Sequence, residues 1–358
     1  MDDSFIRKFE TVVSKASPQQ LEKLQSIIDK KRIELSKRRY RSKYECDISS
    51  VRETVEKYGV AIVPNLLDED ECESMVSGMW DYFEHVTSEW DNPIDRNDTD
   101  TWKEIYKLYP SHSMLFQYFG VGHAQCVWDL RQNPKIVEVF AKIWNCKKDE
   151  LLVSFDGLSF CLPPEETNRG WNRNQTWFHT DQSYTRNEME CIQSWVTGLD
   201  VNKGDATLSI MEKSHKYHAE FAKKFGITDK KDWYKLNEKE EQFYIDKGCS
   251  YKKIVCPKGS LVLWDSRTIH CGAQPDKTRE TKNIRAVVYL CYTPRTLAND
   301  AKLKKKIHVF EELRMTSHWP HKVTMFGKNP RTYGGELPTI TQIPQPKLNK
   351  LGKKLAGY

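Results

Sequence analysis

The chain has 358 residues, 30% of them charged, a mean hydropathy of −0.71 and a formal net charge of +6 at pH 7. It is long enough to bury a substantial core as one large domain or two small ones. It contains no apolar run of the roughly 18 residues that a membrane helix needs, and its opening MDDSFIRKFE has no apolar stretch of the secretory type.

The charge is unevenly placed. Residues 30–43, KKRIELSKRRYRSK, carry a net +7 and residues 316–358 a net +6, so the body between and before them is acidic at −7. The ten cysteines stand singly with no C-x-x-C pair. That spacing argues against a disulfide scaffold or a cysteine zinc site and fits an intracellular compartment, cytoplasmic or nuclear.

Residues 1–45 read as a basic amphipathic arm. Ser17 is a natural N-cap with Pro18 at the first helical position, and Leu21, Leu24, Ile28 and Leu35 mark one face. The plain reading is a helix whose basic side faces water; the sharper one is an arm for nucleic acid or an acidic partner. The body spans 46–315. Its first part gives a short helix, the strand GVAIVP and a second helix capped by Asp68. Residues 87–126 are loop-rich and aromatic, expected as core or lid, and helical pieces broken near Pro134 follow.

From residue 151 the texture changes to short strands separated by Gly, Pro and Asp: LLVSFDGLSFCL, TWFHTDQSY, CIQSWVTGLD, ATLSIME, KKIVCPKGSLVLWD and NIRAVVYLCYTP. This pattern predicts a sandwich or barrel. Residues 213–247 form a charged helical insertion, and 316–358, with five prolines, a basic irregular tail draped over the body.

One stretch carries chemistry. In TWFHTDQSY, His179 and Asp181 stand two apart, and in a strand such residues share a face. A third ligand, His270, follows the apolar strand in KGSLVLWDSRTIH. Two imidazoles and one carboxylate suit non-haem Fe(II) and leave positions open for a cosubstrate and dioxygen. Fifteen residues on, Arg285 opens an alternating strand, where a fixed guanidinium can grip the far carboxylate of 2-oxoglutarate. Taken alone, without His270 and Arg285, His179 and Asp181 read rather as a satisfied hydrogen-bonded pair. Asp156 reads as a turn residue, His215 and His218 as structural or surface groups, and His318 and His321 as tail-docking groups.

The order H-x-D, QSWVTGLDVNKGDATLSIMEKSHKYH, KGSLVLWDSRTIH and then Arg resembles the phytanoyl-CoA dioxygenase-like branch of the Fe(II)/2-oxoglutarate oxygenases. The resemblance is firmest over 151–296 and extends to YGVAIVPNLLDEDECESM. It implies a mainly β fold with flanking helices around a double-stranded β-helix of the jelly-roll or cupin-like type. It also implies iron held by His179, Asp181 and His270, with 2-oxoglutarate and dioxygen as cosubstrates. By position it places Trp195 on the 2-oxoglutarate pocket. Because Asp181 is a carboxylate, it implies hydroxylation rather than halogenation.

Two departures stand out. The PDKTRETK stretch lengthens the gap before Arg285 and leaves Arg279 as a rival anchor. No hydroxyl residue lies two places after Arg285, so a Ser, Thr or Tyr from elsewhere must share the carboxylate. The substrate is left open. A catalytically silent scaffold that holds nucleic acid or an acidic partner is the alternative, and a cupin-like metalloenzyme without 2-oxoglutarate is a third reading.

Overall fold

The structure, a computed structural model, describes residues 17–21, 23, 40, 42–173 and 176–358. Residues 1–43 and 44–358 form separate compact units. In the first, Ser17 accepts from the backbone N–H of Gln20 (3.3 Å) while the Gln20 side chain accepts from that of Ser17 (2.9 Å), capping a helical start at Pro18. Leu24, Ile28, Leu35 and most of the basic run lie outside the described residues.

In the second unit, the helix Val51–Tyr58 ends at Gly59, whose φ of +82° is left-handed. A Cβ there would sit 2.6 Å from Thr268 Oγ1 and 2.7 Å from His215 Nδ1, so both the turn and the close approach require glycine. Strand β1 (Val60–Val63) follows. The helix Glu69–Val86 then starts with a capping box, the Glu71 N–H donating to Asp68 Oδ1 (3.0 Å) and the Asp68 N–H to Glu71 Oε2 (2.9 Å).

Further strands are β2 (Leu115–Phe116), β3 (Leu151–Val153), β4 (Leu158–Cys161), β5 (His179–Thr180), β6 (Ile192–Thr197) and β7 (Thr207–Met211). After them come β8 (Tyr234–Lys235), β9 (Tyr251–Lys253), β10 (Leu261–Asp265), β11 (His270–Ala273) and β12 (Arg285–Pro294). They form two antiparallel sheets. One runs β1-β10-β6-β12-β4-β2, with β3 also on β12; the other runs β8-β5-β11-β7-β9. The flanking helices hold more residues than the strands.

The strand period of two explains why whole strands are buried rather than half of each. Val60, Ile62, Trp195, Val262 and Val287 of the larger sheet pack inward against Leu208, Ile210 and Ile254 near the smaller one. Their neighbours Ala61, Val63, Val196, Leu263 and Val288 face the other way, onto the helical residues Val55, Met79, Phe83 and Phe140. The insertion, with helices His218–Phe225 and Glu238–Asp246, covers the outer side of the smaller sheet: Phe221, Phe243 and Tyr244 pack on Phe178, Met211 and Cys271. Helices, sheet, sheet and insertion therefore stack as layers around a double-stranded β-helix.

The tail is mostly irregular until the helix Lys350–Ala356. It is tied down by side chains of the body: Trp90 Nε1 donates to the Thr339 carbonyl (2.6 Å), and the Asn349 N–H donates to Gln132 Oε1 (2.8 Å). No helix among the described residues is long and apolar enough to cross a membrane.

Candidate metal centre

His179 opens β5 and His270 opens β11, and the two are direct register partners across that antiparallel pair. Asp181 lies just past the end of β5, its N–H donating to the Ser266 carbonyl (3.0 Å). All three side chains are buried, and their ligand atoms lie within 4.8 Å of one another. His179 Nε2 stands 3.5 Å from Asp181 Oδ1, and His270 Nε2 stands 3.3 Å from Asp181 Oδ2.

Their orientation is set by what surrounds them. A carbonyl can only accept, so Nδ1 of His179 donates to the Trp177 carbonyl (3.0 Å) and Nδ1 of His270 to the Thr268 carbonyl (2.9 Å). Each ring thereby turns its Nε2 towards Asp181, where it donates to the carboxylate or, with that hydrogen gone, ligates a metal. Gln193 on β6 donates to Asp181 Oδ2 (2.9 Å), so the larger sheet orients the carboxylate that the smaller one supplies. Trp177 stacks on His179 at 4.8 Å between centroids, and His112 stacks on Trp177 at 4.1 Å.

The electrostatics suit a cation. Burial alone would push the Asp181 carboxyl up, but His179 and His318 beside it, with hydrogen bonds from His179 and His270, hold it well below the usual carboxylate range. Burial, then the neighbouring His179, pushes the His270 imidazole down, which favours its neutral, ligating form. Two neutral imidazoles and one anionic carboxylate fit a first-row divalent metal such as Fe(II).

The triad opens onto a cavity of about 620 Å³ whose wall also includes Arg285. Arg285 is buried at the start of β12. Its Nε donates to Ser159 Oγ (3.1 Å) and its Nη1 to the Ala206 carbonyl (3.1 Å). Ser159, on β4, holds Arg285 in place and is itself not on the cavity wall. Arg279 is absent from the cavity wall: Glu165 holds it through both oxygens (2.9 and 2.6 Å), and Asp205 lies 3.4 Å away.

Trp195 is fully buried and is not on the cavity wall, unlike the position expected for it. The Arg285 guanidinium lies 5.2 Å from its ring centroid, so Trp195 stands behind the arginine and supports it. The 87–126 segment does reach the cavity, through His112, Met114, Leu115 and Gln117 rather than its large aromatics. Phe116 and Tyr106 turn into the helical core. His318, expected as a docking group, lines the cavity beside Ser317 and Trp319, as does Asp156. Gln193 and this tail segment escaped the sequence reading. Gln193 carried the signal of a polar residue in an otherwise apolar strand, whereas the irregular tail carried none.

Comparison with known proteins follows the same lines. The family model described as phytanoyl-CoA dioxygenase (PhyH) matches residues 55–283. Ava biosynthesis cluster protein O of Aspergillus versicolor is 28% identical over 282 residues, covering 76% of this chain and 86% of that protein. Among solved structures, a hypothetical protein from Escherichia coli superposes with a TM-score of 0.55 at 14% identity, over 88% of this chain and 85% of that one. GlcNAc Inducible Gene 2 of Candida albicans gives 0.51 at 12% identity, over 86% of this chain and 80% of that one. At such identities the likeness is one of fold.

Proposed function

Since this chain belongs to the phytanoyl-CoA dioxygenase family, we propose that it is an Fe(II)- and 2-oxoglutarate-dependent dioxygenase that hydroxylates a C–H bond of its substrate. The observation that carries this reading is the convergence of His179, Asp181, His270 and Arg285 on one cavity. The three ligands would hold iron on one side, leaving the facing positions to cosubstrate and dioxygen. Iron bound there would supply coupled chemistry, in which dioxygen and 2-oxoglutarate give succinate and carbon dioxide, with one oxygen atom passing to the C–H bond and the other to succinate.

The chain's own residues position and shield. Arg285 directs its guanidinium at the far carboxylate of 2-oxoglutarate, and Ser159 and the Ala206 carbonyl fix the angle of that fork. Trp195 behind it keeps water from competing for the charge. Gln193 keeps Asp181 from rotating away from the two imidazoles. None of these residues is given a proton-transfer role, since the chemistry that iron would supply calls for no protein acid or base.

Support for 2-oxoglutarate over a cupin-like site without it comes from the buried arginine on the cavity wall. The intact triad argues against a silent scaffold. Binding of nucleic acid or an acidic partner by the basic termini is a separate proposal that rests on charge alone. All ten cysteines are free, which fits the intracellular setting we propose.

Anaerobic titration with Fe(II) and then 2-oxoglutarate tests the function. The visible charge-transfer band of the chelate should appear in the wild type and vanish in His270→Ala. Iron uptake without the band favours the cupin-like reading, and no uptake favours the scaffold.

A further inference from the structure

Part of the wall of the same cavity is built from chain that contributes nothing to the metal ligands. Residues 315–326 double back as a hairpin. The Phe326 N–H donates to the Met315 carbonyl (3.0 Å), the Ser317 N–H to the Thr324 carbonyl (2.8 Å), and Thr316 and Met325 form an antiparallel bridge. Val323 sits near its turn with a φ of +51°, left-handed, which is costly for a β-branched residue and persists only where the surroundings impose it.

Those surroundings are present. Thr316 exchanges two hydrogen bonds with Phe155, its N–H donating to the Phe155 carbonyl (2.9 Å) and its Oγ1 accepting from the Phe155 N–H (3.0 Å). The buried Lys306 ammonium reaches the Val153 carbonyl and, at 3.3 Å, that of Pro320. Lys322 lies over the Trp319 ring at 3.4 Å while paired with Asp232 at 2.6 Å. The hairpin is therefore a fixed wall.

What this wall presents is unusual. Ser317 Oγ, His318 Nε2 and Trp319 Nε1 are buried atoms without a hydrogen-bond partner, and all three residues line the cavity. Buried polar atoms are nearly always paired, and each one left alone costs about 1–3 kcal/mol. Three successive orphans in cavity-lining residues mark a stretch where a bound ligand, by drawing the Ser317 and His318 side chains towards it, would satisfy polar atoms that the chain leaves unpaired. The wall around them is aromatic: Trp177, Trp233, Trp264 and Phe326.

The wall is also poor in free positive charge. Arg285 is committed to the cosubstrate end, which leaves on the wall, among the described residues, a single lysine, Lys231, an exposed side chain with Asp229 at 3.7 Å. Lys322 and Arg186, beside the hairpin, both pair with Asp232. Nothing in this arrangement would hold the phosphates of an acyl-CoA, which call for clustered cations. A volume of about 620 Å³ is in the range of sites for drug-sized molecules.

We propose that the hairpin 315–326 is the substrate-recognition wall, where Ser317 and His318 bind a hydroxyl or carbonyl of a compact, uncharged, ring-bearing substrate held among the tryptophans. This rests on the oxygenase reading for what then happens to the substrate, but not for the binding itself. A site that hydrogen-bonds a substrate group rejects an analogue lacking it, because its own polar atoms are then left unpaired.

The test compares 2-naphthol with naphthalene, and either with dodecanoyl-CoA, by equilibrium dialysis against the full-length protein, with the iron–2-oxoglutarate band recorded in parallel. Wild type should bind 2-naphthol at least about tenfold tighter than naphthalene, equivalent to about 1.4 kcal/mol. Dodecanoyl-CoA should not displace it. Ser317→Ala should bring the two affinities closer while leaving the band in place, and adding His318→Phe should bring them together. Should that double variant not fold, His318→Gln, which keeps a donor, must preserve the preference and Ser317→Ala alone must reduce it. Equal affinities in the wild type, no naphthol binding, or displacement by dodecanoyl-CoA each overturn the proposal. A missing band with the naphthol preference intact would instead sink the oxygenase reading and spare the hairpin.

Discussion

His179 and His270 face each other across the β5–β11 pairing with ring centroids 4.4 Å apart, and each imidazole donates its Nδ1 hydrogen to the carbonyl two residues before it. One backbone device, used twice, sets the tautomer of both ligands. The pair is thus ready for a metal before one arrives.

Loss of either imidazole should remove the metal and spare the fold. His179→Ala is expected to lower Fe(II) affinity by more than the about 100-fold that loss of an outer hydrogen bond costs. Anaerobic metal titration measures the affinity and thermal melting checks the fold. A variant that unfolds outright would mean the pair is a structural element.

Gln193→Leu isolates the outer support. It keeps the volume roughly but removes the hydrogen bond to Asp181 Oδ2. Fe(II) affinity should drop about 10–100-fold while all three ligands stay in place. An unchanged affinity would show that the carboxylate needs no help from β6.

The two arginines should separate cleanly. Arg285→Leu should weaken 2-oxoglutarate binding by at least about 30-fold, roughly 2 kcal/mol, because a carboxylate loses its buried guanidinium. Iron binding should persist. Arg279→Leu should instead lower the melting temperature, since Glu165 and Asp205 lose their shared partner, with the 2-oxoglutarate affinity unmoved. Reversal of these two phenotypes would make Arg279 the anchor.

Acid sensitivity should trace in part to His123, which lies far from the triad in sequence. It is fully buried; its Nε2 hydrogen goes to the Arg314 carbonyl (3.0 Å), and its Nδ1 accepts from Trp128 Nε1 (3.3 Å). Burial first, then the charge of Arg131, pushes its pKa down to about 3. The folded state therefore favours the neutral ring. The stability tied to it is whole above the unfolded pKa of about 6.5 and is lost as pH falls from there towards about 3. Within that window the group contributes a slope of about 1.4 kcal/mol per pH unit. Urea unfolding of His123→Gln at several pH values should show a slope flatter by that amount, although the variant is less stable at neutral pH.

Much of this was legible from residues alone, for a physical reason. His179, Asp181, His270 and Arg285 sit on or beside strands, and a strand converts spacing into facing: i and i+2 share a side, and an apolar run announces where its end falls. The two buried sheets could likewise be read from short apolar runs between turn residues. What escaped depends on contacts that spacing does not encode. Arg285 is the expected anchor with Arg279 as its rival, but spacing could not show that Glu165 lies against the latter while Arg285 lines the cavity. Trp195 shares its strand with Gln193, yet only the Arg285 approach shows which of them supports which group. The stretch SHWPH has no period at all, and its orientation follows from the Thr316–Phe155 and Lys306 anchors, which are distant in sequence.

The division of the cavity wall has a consequence for descent. The ligands and their supports belong to paired strands, where a shift of one residue flips every side chain to the opposite face and destroys the centre. The 315–326 wall hangs from a few anchors on irregular chain and shares no register with those strands. Mutation can therefore rewrite its five cavity-facing side chains, and with them the choice of molecule, while the reactive centre is inherited intact. Relatives that diverge most over this hairpin should be those that have changed substrate, and those that keep SHWPH should share one.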